Sequence, residues 1–292
     1  AATYLKIVGG SCILNALIPI FSSYLRAFGH TKQSLFATIA GNVVNLILNA
    51  VFLFVFHMGV MGVALATVIS RILNLLIVII ASHLLVDAGK DPERITNKEV
   101  FGKIISIGLP SALETGLYNL AMTLIIRFLN QMDTDGINVT ARSYAMQITN
   151  FSYCAGAALA QANAILTGWR IGAGKYEECD KGTRKAAVIG VVAAAVLESA
   201  FAASSGILMR MFTEDSLMIA LVGRLLAIDI LLEIGRTTNL VFGNALKTSG
   251  DAVFTTVIAA VFMYLCAVGG TWFFGIHLGW MVAGAYVGLA MD

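Results

Sequence analysis

The chain has 292 residues, 58% of them hydrophobic and 12% charged, with a net charge of +2. Soluble domains carry about 25% charged residues, so this composition leaves too few charges for a water-facing surface and points to an all-α, polytopic membrane protein in a lipid bilayer. No basic face interleaved with aromatics exists for nucleic acid, and the scattered Cys12, Cys154, Cys179 and Cys266 support neither a disulfide framework nor a metal cluster. A spanning helix needs about 20 predominantly apolar residues. In chain order such runs occupy 3–25, 33–56, 60–86, 101–130, 138–169, 184–212, 217–245 and 251–275, and a shorter one starts at 279. Lipid cannot satisfy open backbone groups and nothing alternates with a period of two, so the runs are read as helices rather than barrel strands. The start at Ala1 without Met, and the short final run, read as part of a longer protein.

The loops test this division. Taken alternately, one side holds 26–32, 87–100, 170–185 and 246–250, which with adjoining helix starts carry 12 of the 19 Lys and Arg. The other side holds 57–59, 131–137, 213–216 and 276–278, with none; Asp133, Asp135, Glu214 and Asp215 lie there, and Arg127, Arg142, Arg210 and Arg224 sit at helix ends from which they can snorkel outward. The positive-inside rule makes the first side cytoplasmic; the expected location is the plasma (inner) membrane.

The longest polar connection, Asp87 to Glu99, divides the chain into three helices at 1–86, a cytoplasmic linker at 87–100 and six helices at 101–292, the last one short. Arg170 to Lys185 reads as a loop with a short surface helix. A weak repeat relates Tyr24–Gly29 to Ala245–Gly250, and Met58-Gly59-Val60-Met61 to Leu278-Gly279-Trp280-Met281, both about 220 residues apart. Two bundles related by a pseudo-twofold along the membrane normal are the architecture this implies, the first bundle being incomplete.

Ionisable groups at mid-bilayer cost roughly 2.5–3.5 kcal/mol on insertion scales, so they face an interior and mark a pathway. Glu114, Glu198, Asp229 and Arg71 each fall near the middle of a run, Glu233 follows Asp229 by one turn, and Arg236 comes three residues later. One reading is a cation site: paired carboxylates in a low dielectric hold a proton, Na+ or a cationic compound, with Na+ at Asp229 and Glu114. The other is a set of ion pairs that fix helix register, which suits Glu233 with Arg236 and also Glu198 and Arg71. Asn45 and Asn49 share one helix face with Asn42 nearby, and either coordinate a cation or bridge helices. Pro19 and Pro110 are expected to act as hinges, and Gly156, Gly168, Gly172, Gly284 and Gly288 to permit close packing. Nucleophile elbow, P-loop and zincin motifs are missing, so an enzyme is not expected.

Several segments resemble the multidrug and toxin extrusion (MATE) family. Leu25-Arg26-Ala27-Phe28-Gly29 is similar to its L-R-x-x-G, and Asn45-Leu46-Ile47-Leu48-Asn49 to its N-x-x-L-D/N. Gly59-Val60-Met61-Gly62-Val63-Ala64-Leu65-Ala66-Thr67 is similar to the entry of its sixth helix. Gly108-Leu109-Pro110 opens the seventh, and Ile171-Gly172-Ala173-Gly174 follows the eighth. Glu233-Ile234-Gly235-Arg236 with Asn239, then Ala245–Asp251, resembles the tenth and its exit. The resemblance implies helices four to twelve of twelve. It implies a monomer exporting small cationic or amphipathic drugs by antiport with Na+ or H+, without other cofactor, through rocking of two lobes. It also implies that Glu114 with Asp229 or Glu233 forms the cation site. A lipid-linked oligosaccharide flippase of the same superfamily and, more remotely, an intramembrane transferase are the alternatives.

Overall fold

The computed structural model describes residues 2–86, 97–132 and 136–292. The expected linker at 87–100 and the acidic Asp133 and Asp135 fall largely outside these residues. Among the described residues every regular element is helical, and the chain divides into two compact units, Ala1–Arg94 and Ile95–Asp292.

In the first unit α1 (Ala2–Gly10) and α2 (Cys12–Ala27) meet at a 41° bend. The bend falls at Gly10 and Ser11, not at Pro19, a Gly/Ser pair being one of the usual sites of a helix kink. Next come α3 (Thr31–Ala50), a π-helical turn at Val51–Val55 and α4 (Gly59–Leu85). Ser34, Ala37 and Gly41 form the buried stripe of α3 against α4, and a Cβ on Gly41 would already lie 3.1 Å from Cβ of Asn74. Leu25, Ala37, Leu75 and Val78 make the core.

The second unit holds α5 (Asn97–Met132), α6 (Ile137–Gly172), α7 (Tyr176–Ala203), α8 (Ser205–Arg210), α9 (Ser216–Thr248), α10 (Ala252–Phe262) with π-helical turns at Met263–Val268 and Thr271–His277, and α11 (Met281–Ala290). Pro110 sits within a continuous α5. The polar stretch after residue 170 forms no separate surface helix. A turn through Gly174 (φ +72°) leads straight into α7, whose first turns carry the exposed pairs Lys181–Glu177 and Arg184–Asp180. Such pairs are worth little individually; they keep this helix end in water.

Five helical segments among the described residues are long and apolar enough to cross a membrane, six with the bent pair counted as one. Leu46, Phe54, Leu84, Ile207 and Leu217 are each more than 70% exposed, an outward apolar surface that suits lipid. The long helices α6 and α9 fall outside the apolar group because they carry the buried polar groups: Asn138, Arg142 and Asn163 on α6, Asp229 and Glu233 on α9.

The repeat is visible in backbone detail. Asp251 N–H donates to Leu246 O as His30 N–H does to Leu25 O, 221 residues apart, each beside a glycine of positive φ (Gly29, +84°; Gly250, +99°). At the far tip the offset is 222. Leu278 N–H to Phe273 O matches Phe56 N–H to Val51 O, and Trp280 N–H to Phe274 O matches Met58 N–H to Phe52 O. Gly279 therefore corresponds to His57 (φ 51°), and Met281 (φ 53°) to Gly59. This corrects the register in which the sequence pairs Gly59 with Gly279. The one-residue difference is absorbed between α10 and the tip, where the second unit has an additional π-helical turn at Met263–Val268.

Candidate functional site

Three helices of the second unit, α6, α7 and α9, run along one another. Two glycines permit the approach. A Cβ on Gly156 of α6 would lie 2.8 Å from the hydroxyl of Thr237 on α9, and one on Gly190 of α7 would lie 2.7 Å from the Thr237 methyl. The close packing expected of Gly156 is thus realised against α9.

Just beyond this contact Glu198 of α7 meets Asp229 and Glu233 of α9. Asp229 and Glu233 share a face because they are four residues apart. Each of the three offers a carboxylate oxygen, and these oxygens all lie within 4.8 Å of one another. Glu198 and Glu233 are fully buried and Asp229 is 2% exposed. Arg236 Nη1 donates to Glu233 Oε2 at 2.8 Å, and its guanidinium lies 5.8 Å from the centre of the Tyr153 ring. Both oxygens of Glu198, Oδ2 of Asp229 and Oε1 of Glu233 have no hydrogen-bond partner. The hydroxyl of Ser152, equally unpartnered, faces Glu198.

The chemistry follows from the charges. Three carboxylates face one guanidinium, and two like charges 4.8 Å apart repel by roughly 3 kcal/mol even at an effective dielectric of about 20. Buried charge without compensation costs several kcal/mol per ion more. The cluster is therefore poised to take up positive charge. An oxygen-only donor set suits a proton or a hard cation, and a 4.8 Å spread is what opposite oxygens around a metal–oxygen distance of about 2.4 Å require.

The structure does not bring Glu114 to Asp229. Glu114 Oε1 accepts from Lys247 Nζ at 2.7 Å, and Oε2 from the Thr256 hydroxyl at 3.2 Å. Lys247 lies 18 residues beyond Asp229 on α9, about 27 Å along the helix. The 36-residue α5 is longer than a bilayer core needs, so counting from its sequence midpoint misplaces Glu114 in depth. Its place beside Asp229 is taken by Glu198. Because Lys247 and Glu114 are 23% and 26% exposed, replacing Glu114 by Gln should lower stability by about 1 kcal/mol or less. Thermal melting of the variant beside the parent protein reads the difference.

In the first unit Asn49 Nδ2 donates to Asn45 Oδ1 at 3.0 Å, and Asn45 Nδ2 to the Ser70 hydroxyl of α4 at 3.2 Å. This is a helix-bridging amide chain; Oδ1 of Asn49 and of Asn74 and Nη1 of Arg71 are buried beside it without partners. Asn239 Nδ2 donates to the Asp292 carbonyl at 3.5 Å. Arg142, expected to snorkel outward, is instead 6% exposed, because α6 starts at Ile137 and its second turn already faces α5. Ser152 and Thr237 carried no sequence signal; only their spacing from Gly156 and Glu233 places them at this seam.

A family profile described as MatE matches residues 110–273. An uncharacterized transporter, YisQ of Bacillus subtilis, is 33% identical over 303 aligned positions that cover all of this chain and 65% of that relative. Multidrug and toxin extrusion protein 2 of Oryctolagus cuniculus is 24% identical, covering 85% of this chain and 41% of that protein. A solved structure of a Vibrio cholerae MATE transporter superposes with a TM-score of 0.89 at 18% identity, over 99% of this chain and 65% of its own. An outward-facing multidrug-resistance MATE transporter gives 0.88 at 18% identity over the same shares. The chain thus spans about two thirds of the length of these structures, and their two-lobed helical fold is the one described above. With a profile covering more than half of its residues, the chain belongs to the MATE family of membrane transporters.

Proposed function

We propose that this chain forms part of a secondary active transporter that exports cationic or amphipathic small molecules by antiport with Na+ or H+. Glu198, Asp229 and Glu233 are the seat of the coupling ion, and Arg236 limits how much positive charge they accept. The observation that carries this reading is the burial of three mutually close carboxylates with unpartnered oxygens against one guanidinium. Ion entry neutralises the cluster; ion release restores a repulsive state. That difference in free energy between two states is what a coupled transporter needs from its driving ion. The relatives named multidrug and toxin extrusion proteins support export of drugs, and the family membership leaves no support for a transferase. The same reading has the transporter acting as a monomer in the plasma membrane, with the Lys- and Arg-rich loops cytoplasmic, 1–86 and 101–292 as parts of two lobes, and 87–100 as their linker.

The flippase alternative would be favoured by a buried Lys- and Arg-rich seam; the seam here is acidic. The test is export of a fluorescent cationic dye from proteoliposomes holding the full-length gene product. A Na+ or a H+ gradient, imposed separately, is expected to drive uphill dye movement. Failure of both gradients would end the antiport reading.

A further inference from the structure

One buried charged side chain of this unit is not among the three carboxylates. Arg142 on α6 is 6% exposed and forms no ion pair among the described residues. Its Nη2 reaches only the thioether sulfur of Met122 on α5, at 3.3 Å. The groups close enough to act on its charge are Tyr286, Tyr118 and the like charge of Arg236, with no carboxylate among them. A thioether is a weak acceptor, and a guanidinium carries five N–H donors in a planar fork shaped for a carboxylate. Buried cations in membrane segments are retained where they meet a partner or a transported species.

Arg142 also borders a cavity of about 250 Å3 between α5 and α6. The walls are Tyr118, Met122, Ile126, Val139 and Met146, and Ser143 adds one hydroxyl. Ligand sites pair apolar and aromatic walls with a few polar groups that fix orientation, and full drug-sized sites hold about 300–1,000 Å3. This cavity takes a charged head and one or two fused rings.

We infer that the α5–α6 cavity is a subsite for the carboxylate end of an amphipathic aromatic compound, held by the guanidinium fork of Arg142. One guanidinium neutralises one carboxylate; a diphosphate head would remain uncompensated. The ligand class is therefore an aromatic monoanion, or the anionic end of a zwitterion, in a unit whose other buried site is acidic. This goes beyond the antiport reading and is measured without any ion gradient, so the two fail separately.

The experiment uses the purified full-length gene product in neutral detergent and three fluorescent probes: 1-naphthoate, its methyl ester and 1-naphthylmethylammonium. Wild type should bind the carboxylate at least tenfold more tightly than the other two. Arg142→Gln should erase that preference, and Arg142→Lys should keep part of it. Met146→Trp, which fills the cavity and leaves the charge, should weaken all three. A carboxylate preference unchanged in a folded Arg142→Gln protein would overturn the assignment, as would its absence in wild type. Should Arg142→Gln fail to fold, undiminished naphthoate binding by Met146→Trp would overturn it equally. Displacement of naphthoate by phosphatidylglycerol would do the same, by making the ligand a lipid headgroup.

Discussion

Asp229→Asn should abolish ion-driven efflux while leaving a protein that is folded and melts at a higher temperature. Asp229 stands between Glu198 of α7 and Glu233 of α9, with its Oδ2 buried and unpartnered. Removing one of three close negative charges relieves repulsion of roughly 3 kcal/mol for each neighbour at an effective dielectric of about 20. The same neutralisation removes the difference between ion-loaded and empty states, so transport should lose its ion dependence and fall roughly tenfold or more. Glu198→Gln should act in the same direction. Arg236→Gln should do the reverse to stability, since it leaves Glu233 buried without its partner; Arg236 itself is 35% exposed, so the loss should fall below the about 3–5 kcal/mol of a fully buried pair. Gradient-driven efflux and thermal melting on each purified variant separate these outcomes. A Asp229→Asn protein that melts lower and keeps full ion dependence would make the cluster a packing device only.

Gly284→Val should prevent the second unit from folding. A Cβ at Gly284 would lie 2.5 Å from the carbonyl carbon of Phe274 and 2.6 Å from the nitrogen of Gly275. One at Gly288 would lie 2.8 Å from the nitrogen of Thr271. Flexible side chains can swing away from such contacts; main chain cannot. Overpacking costs about 1–3 kcal/mol where neighbours relax, and here they are backbone, so the loss should exceed that range. Gly206, with nothing within 4 Å of an added Cβ, is the control: Gly206→Ala in α8 should be neutral or stabilising. The share of protein eluting as one monodisperse peak in detergent is the readout, and normal yield of Gly284→Val would refute the backbone contact.

The helices were legible because lipid imposes a length and a composition that no other environment does. Every long apolar run found a helix, and the repeat was legible from a handful of glycines. The carboxylate cluster was half legible. Asp229, Glu233 and Arg236 announce themselves by helical spacing, which is local. Glu198 and Glu114 each stand alone in the apolar stretch of a long helix, and which of them meets Asp229 depends on how far each helix slides along α9. Sequence position carries no measure of that slide: Lys247 captures Glu114 about 27 Å away along α9. Arg142 was misplaced for a related reason. A charge near a helix end reads as interfacial, and only the facing α5 shows that it is enclosed.

The additional π-helical turn at Met263–Val268 has a mechanical meaning. One residue inserted into an α-helix would swing everything after it by about 100° and carry Phe274 away from Gly284. Absorbed in a widened turn, the insertion leaves the hairpin tip with the same main-chain bonding as its counterpart at Phe52 and Met58. The later half of that span is thereby insulated from changes in length upstream. A lineage of these proteins can gain or lose a residue in the middle of the span without rebuilding the clasp at its end.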